Sequence, residues 1–215
     1  MTPFAAVFGR AYPFARRDVD TDLIIPAEHM KTISRSGLGA YAFETLRRTA
    51  GNVFDDPAYA GAPILLAGAN FGCGSSREHA VWALADLGVR VVIAQSFSGI
   101  FAGNAFRNGL LMIELSGQAV ERLMAAARNQ ARFTVDLAAS IVATDDGAVF
   151  PFETDAFRRA CLLEGTDEIA LTQGSIEQIA AHEAMAVRLD PWLVPAALPD
   201  LEDQSLRPTM RNEAG

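Results

Sequence analysis

Cysteine is scarce. Of 215 residues only Cys73 and Cys161 carry a thiol, which gives neither a CxxC pair nor a disulfide framework. Histidine is nearly as rare: His29, His79 and His182 stand too far apart in sequence to suggest a zinc site, so no metal site is expected on this chain. Basic residues are outnumbered, 18 against 26 acidic ones, for a net charge of −8. That balance argues against a surface built to track phosphates, and no nucleic-acid partner is expected. No apolar run approaches the length of a membrane span. The opening "MTPFAAVFGRAYPFARRDVD" places Arg10 and Pro13 inside its apolar part and lacks a small-residue cleavage pattern, so a signal peptide is not expected either. No internal repeat interrupts the chain, and no low-complexity segment does so over residues 1–188. These absences together describe a soluble, cytoplasmic protein.

What the chain does have is apolar residues: they make up 50% of it, enough to bury a sizeable core. The first 60 residues are rich in turns. From residue 63 the pattern becomes regular. "PILLAGA" reads as a buried strand bounded by Pro63 and Gly68, "VRVVIAQSF" as a second and "LLMIEL" as a third. Between them lie a helix with Ala80, Ala83, Leu84 and Leu87 on one apolar face, closed by Gly88, and a shorter helix in "SGIFAGNAFRNG". Strands alternating with helices imply parallel pairing through right-handed crossovers. Further on, "SGQAVERLMAAARNQ" is a helix. Phe133, Val135 and Leu137 alternate ahead of a turn at Asp145-Asp146-Gly147, which predicts a β-hairpin. "TDAFRRACLLEG" and "GSIEQIAAHEAMAVRL" are helices, the second opening on Ser175 and Gln178 at capping-box spacing. After Leu189 come four prolines and no periodicity. The expected organisation is one α/β domain over 1–189 and an extended or disordered tail over 190–215.

One stretch is chemically overloaded for a turn: "NFGCGSSREHAVWALADLG", residues 70–88. Ser75 and Glu78 have capping-box spacing, so a plain helix cap accounts for two of its residues. It does not account for Gly72, Gly74, Ser76 and Arg77. Gly72 and Gly74 allow backbone N–H groups to approach a ligand, a helix start adds partial positive charge, and Arg77 offers a planar fork. This describes an anion cradle at a strand-to-helix turn, where ligands of open α/β sheets sit. Phosphate signatures fail: no lysine follows Gly74 as a P-loop requires, and Arg77 stands where a dinucleotide fingerprint needs its third glycine. A carboxylate ligand and an elaborate helix cap remain as the two readings.

"GANFGCGSSREHAVWALADLGVRVVIAQSFSGIFAGNAFRNGLL" resembles the signature of the small subunit of 3-isopropylmalate dehydratase (isopropylmalate isomerase), a relative of aconitase. "DVDTDLIIP" with "KTISRSGLGAYAF", and later "FETDAFRRACLLEGTDEIALT", resemble its amino-terminal and carboxy-terminal parts in the same order, from about residue 4 to 188. The resemblance implies a swivelling β/β/α domain, like the mobile last domain of aconitase, with a mixed sheet around a parallel βαβ core. It also implies a large-subunit partner, as heterodimer or heterotetramer, that holds a [4Fe–4S] cluster. The implied reaction interconverts 2-isopropylmalate and 3-isopropylmalate through isopropylmaleate, a hydro-lyase step of leucine biosynthesis. The chain's own chemistry agrees: a cubane draws on a set of cysteine thiolates that Cys73 and Cys161 do not make, so the iron must come from elsewhere.

On the same resemblance, Ser75 is the base, acting as an alkoxide that the helix start and Arg77 would stabilise. Ser76 and Arg77 bind a substrate carboxylate, Arg35 lies in the segment supplying a second carboxylate-binding arginine, and Asp22 is an active-site acid that orients a partner-chain group. Asp20 and Thr21 shape the turn before it. Cys73 is not expected to act in catalysis, and Cys161, among Ala160, Leu162 and Leu163, is expected in the core. Leu38 stands where the family carries an aromatic, Val81 where it carries proline, and Ser98-Gly99 where it reads Ala-Asp. The loop around Leu38 is expected to help shape the substrate pocket, which leaves citraconate, dimethylmalate and homoaconitate as sister substrates. A non-catalytic carboxylate-binding domain is the reading from another class, opposed by the intact "GSSRE".

Overall fold

The computed structural model describes residues 1–4, 6–74, 77–189 and 192. The regular elements begin with two three-residue strands, β1 (Val7–Gly9) and β2 (Ala11–Pro13), which belong to different sheets. The turn-rich stretch that follows holds two single-turn helices, α1 (Thr21–Ile24) and α2 (Glu44–Arg47), with 3-10 turns at Ala27–Lys31, Gly39–Tyr41 and Pro57–Tyr59. Then comes the expected alternation: β3 (Ile64–Leu66), α3 (Glu78–Asp86), β4 (Val91–Ala94), α4 (Gly99–Arg107), β5 (Leu111–Glu114) and α5 (Gly117–Arg128). The strands β2, β3, β4 and β5 pair in that order, all parallel.

Both faces of this sheet are covered, which is why its strands read as unbroken apolar runs. Ala11, Ile64, Leu66, Val91, Ile93, Leu111 and Ile113 belong to one core cluster, and α5 contributes Val120, Leu123, Met124 and Ala127 to it. Tyr12, Leu65, Val92 and Ala94 belong to the other cluster, with Ile24, Phe43 and the apolar stripe of α3. That stripe comprises Ala80, Val81, Ala83 and Leu84. The helix closes as Gly88 was expected to close it. The Val89 N–H donates to the Leu84 carbonyl (3.0 Å) and the Gly88 N–H to that of Ala85 (3.0 Å), the paired bonds of a Schellman motif.

Beyond α5 the chain forms β6 (Phe133–Asp136), β7 (Ile141–Thr144) and β8 (Val149–Pro151), with the expected turn between the last two. With β1 they make a second, antiparallel sheet in the order β1-β6-β7-β8. The mixed α/β character is as expected, but the parallel and antiparallel ladders fall in two sheets rather than one. The strands β1 and β2 had no counterpart in the sequence reading. Val7 pairs with Val135, far along the chain, and a three-residue strand shows no period of its own.

The helix α6 (Ala156–Glu164) is capped by Asp155, whose carboxylate accepts from the Arg158 N–H, and closes on Gly165. Cys161 is buried there, as expected. The helices α7 (Glu168–Gln173) and α8 (Ile176–Leu189) follow. A division into compact units falls between Glu168 and Ile169, inside the span read as one domain. Apart from Trp192, the expected tail at 190–215 lies outside the described residues. No described helix is long and apolar enough to cross a membrane.

Candidate active site

The overloaded loop leaves the carboxyl end of β3 and is stitched to its neighbours on both sides. Towards the segment after β2, the N–H groups of Gly72 and Cys73 both donate to the Val19 carbonyl (2.8 and 3.1 Å). The Thr21 N–H donates to the Cys73 carbonyl (3.1 Å), and Asn70 Nδ2 to Asp18 Oδ1 (2.8 Å). Towards the segment after β4, Asn70 N–H donates to Ser96 Oγ (2.9 Å), the Phe71 N–H donates to the Ser96 carbonyl (3.0 Å), and the Ser98 N–H donates to the Phe71 carbonyl (3.0 Å), bracketing a short parallel bridge between Phe71 and Phe97. Three connections thus converge at the carboxyl ends of parallel strands, the place such sheets present to ligands.

The Asp-Thr-Asp run has two roles in this geometry. Asp20 caps α1: its Oδ1 accepts from the Leu23 N–H at 2.7 Å, as a turn-shaping Asp should. Asp22, in the first turn of α1, accepts a hydrogen bond from Nη1 of Arg77. Asp22 was expected to orient a group of a partner chain; the structure pairs it with the arginine of its own loop. Their side chains are 54% and 26% exposed, so the pair faces solvent at the rim of the loop.

Two expectations for this loop change. The Gly72 N–H is committed to Val19 and turned into the protein, so it does not line an anion cradle. Glycine is required there for another reason: φ is +76° and a Cβ would lie 2.2 Å from Cγ of Phe101. Gly74, also at positive φ (+89°), has room for a Cβ at 3.4 Å from that of Asp20. The capping box is also replaced. The first residue of α3 is Glu78, its N-cap is Arg77, and among the described residues no side-chain cap bond is made. Ser75 and Ser76, the expected base and its neighbour, lie outside the described residues.

The segment carrying Arg35 is docked along α3. His79 Nε2 donates to the Thr32 carbonyl (2.9 Å), the Arg35 guanidinium carbon lies 5.1 Å from the Trp82 ring centroid, and Asp86 Oδ2 accepts from the Gly39 N–H (2.7 Å). His79, Trp82 and Asp86 are spaced i, i+3, i+7, one stripe of the helix beside its buried face. The sequence reading missed this stripe, although "HAVWALAD" carries it. Trp82 also donates through Nε1 to Asn108 Oδ1 (3.0 Å) at the C-cap of α4, and Asn108 Nδ2 donates to Glu78 Oε1 (2.7 Å). Leu38 itself is 3% exposed and packs in the core, so it shapes its loop from beneath.

Burial, with the carboxylates of Asp20 and Asp18, raises the Cys73 thiol above its ordinary value. The Glu44 carboxyl is held below its usual range by hydrogen bonds from His29 and Arg48. Among the described residues, Glu28, His29 and Glu44 bring potential ligand atoms within 4.8 Å of one another. His29 Nε2 already donates to Glu44 Oε2 at 2.6 Å, and the other oxygen of Glu44 accepts from Arg48 at 3.1 Å.

A family model described as the aconitase C-terminal domain matches residues 1–118, and one described as LeuD_N matches residues 121–156. A protein of Novosphingobium aromaticivorans named 3-isopropylmalate dehydratase small subunit is 52% identical over 193 residues, spanning 90% of this chain and 95% of that one. Another of the same name from Zymomonas mobilis is 52% identical over 187 residues, spanning 87% and 97%. Among solved structures, 3-isopropylmalate dehydratase (leuD) of Methanocaldococcus jannaschii superposes with a TM-score of 0.64 at 26% identity, over 82% of this chain and 99% of that one.

Proposed function

The chain belongs to the family of 3-isopropylmalate dehydratase small subunits in the aconitase superfamily, and on that premise we propose that it interconverts 2-isopropylmalate and 3-isopropylmalate, via isopropylmaleate, as one subunit of a leucine-biosynthetic hydro-lyase. The names of the relatives favour this substrate over citraconate, dimethylmalate or homoaconitate. The observation that carries the reading is the loop at the carboxyl end of β3, fastened to the segments after β2 and β4, with Arg77 presented at its rim on Asp22.

The residues of this chain do not fit an iron–sulfur cluster. Cys161 is buried on α6 and Cys73 is half-buried on the active loop, and a cubane needs a converging set of thiolates. We therefore assign the cluster to the large subunit, which forms a heterodimer or heterotetramer with this chain. The task left here is the proton and the carboxylates. Ser75 is the base that removes the proton beside a carboxylate, and it requires its anion to be stabilised by the backbone and Arg77. Ser76 and the Arg77 fork hold one carboxylate of the substrate, and Arg35 on its Trp82 shelf holds the other. Asp22 sets the plane of the Arg77 guanidinium rather than meeting substrate.

Purified alone, the chain should contain no iron or sulfide and show no turnover. Activity should appear on mixing with a cluster-loaded large subunit under anaerobic conditions. Stoichiometric iron and sulfide in the isolated chain would overturn the assignment.

A further inference from the structure

Asn108 touches both ends of the first turn of α3. It stands at the C-cap of α4, where its backbone N–H donates to Ala105 (3.1 Å) and Asn104 (3.2 Å). Its half-buried side chain uses both amide N–H donors and its carbonyl oxygen. Oδ1 accepts the indole N–H of Trp82 (3.0 Å), and Nδ2 donates to Glu78 Oε1 (2.7 Å) and to the Asn104 carbonyl (2.9 Å). The partners dictate the amide's orientation: an indole N–H can only donate and a carboxylate can only accept.

Each arm leads to one of the arginines assigned to substrate. Glu78 directly follows Arg77 and is the first residue of the helix. Trp82, one turn on, carries the Arg35 guanidinium on its face. Among the described residues no side chain caps the start of α3, so its first turn depends on contacts made from elsewhere to keep Arg77 in place. Asn108 holds it from a neighbouring helix, and with the same amide holds the shelf under Arg35. We propose that Asn108 is a positioning residue that fixes the spacing of Arg77 and Arg35, matching the site to a substrate with two carboxylates. This deepens the proposed function and rests on its reading of the two arginines as carboxylate ligands.

The test is steady-state kinetics with 2-isopropylmalate in the assembled two-subunit enzyme, with melting temperatures alongside. Misplacing a carboxylate-binding arginine weakens a contact made already in the bound ground state, so binding of the dicarboxylate suffers first. Asn108→Asp, which puts a carboxylate against Glu78, should therefore raise KM about tenfold while kcat falls less than about threefold. Adding Glu78→Gln to that variant faces the new carboxylate with an amide donor, and this double variant should return KM to within about threefold of wild type. Trp82→Phe keeps a ring under Arg35 but removes the indole N–H, and it should raise KM by severalfold through the other arm. Arg77→Lys and Arg35→Lys separate the premises. If they raise KM and the Asn108 and Trp82 variants do not, the positioning role is wrong and the arginine assignment stands. If the arginine variants leave KM unchanged, or the wild-type complex does not turn over, both fall. Parallel losses in kcat, KM and melting temperature with no rescue by the double variant would reduce Asn108 to a packing residue.

Discussion

The carboxylate of Asp22 accepts a hydrogen bond from Nη1 of Arg77, two residues 55 positions apart that meet at the carboxyl ends of adjacent parallel strands. Because Asp22 is more than half exposed, this ion pair contributes little to stability, about 0–1 kcal/mol before screening by salt. Its value lies in aiming a guanidinium. Asp22→Asn should therefore leave the melting temperature nearly unchanged while kcat/KM for isopropylmalate drops about tenfold. Arg77→Lys should lower kcat/KM further, since an ammonium cannot reproduce the fork. Wild-type kinetics in Asp22→Asn would show that the pair is a surface contact and no more.

Ser75→Ala separates base from cap more cleanly than the sequence alone allowed. The N-cap of α3 is Arg77, so the loss of about 0.5–2 kcal/mol that follows removal of a capping serine should not appear. Turnover should fall at least about 100-fold in the assembled enzyme, the usual scale for a general base. Thermal melts and kcat on the same preparation decide it. Early melting with intact turnover is the result that would sink the base.

Gly72→Ala and Gly74→Ala should differ although both sit at positive φ. The first brings a Cβ to 2.2 Å from the buried Phe101 ring, whereas the second meets only an ordinary 3.4 Å contact. Gly74→Ala should cost about 1–2 kcal/mol for the backbone alone, and Gly72→Ala several kcal/mol or a failure to fold. Urea unfolding midpoints measure the gap. Equal costs would mean that Phe101 moves aside freely.

Leu38→Phe introduces the aromatic that the family resemblance leads one to expect, but it does so inside the core. Overpacking there should lower stability by about 1–3 kcal/mol. The preference for isopropylmalate over citraconate and homoaconitate, measured as relative kcat/KM, should keep its order. A reversed preference with unchanged stability would return Leu38 to the pocket wall.

Glu44 gives a pH dependence of known sign. Hydrogen bonds from His29 and Arg48 lower its carboxyl in the folded chain, so the ionised form is favoured by folding. The resulting stabilisation is complete above the ordinary carboxylate value of about 4.3 and is lost as pH falls through the lowered folded value. Glu44→Gln should therefore unfold at lower urea than wild type at pH 7, with the difference closing as pH falls through the lowered folded value. A difference that does not shrink at any acid pH where both proteins still fold would mean that the contact does not depend on charge.

The parts of this protein legible in the linear sequence are those whose cause is local. The burial of β3, β4 and β5, the apolar stripe of α3, its stop at Gly88 and the turn after β7 all depend on residues within a few positions of one another. Their periods and breakers are visible without a fold. So was the chemical surplus around Gly74 and Arg77, because a turn needs so few of those residues. The family signature extended this to the reaction.

Tertiary structure decided the rest, because the controlling neighbour lies far along the chain. The strand β1 exists through Val7 meeting Val135. Gly72 reads in sequence as freedom to approach a ligand, yet Phe101 occupies the space where its side chain would be. Asp22 and Arg77 carry no mark of one another in sequence, and α1 brings them together. Leu38 lies in a turn-rich stretch with no period to mark it as core, and the docking of its loop along α3 buries it. Asn108 carries no signal at all in one dimension, since a polar residue at a helix end is ordinary. Only the packing of α4 beside α3 gives its amide both Glu78 and Trp82 to hold.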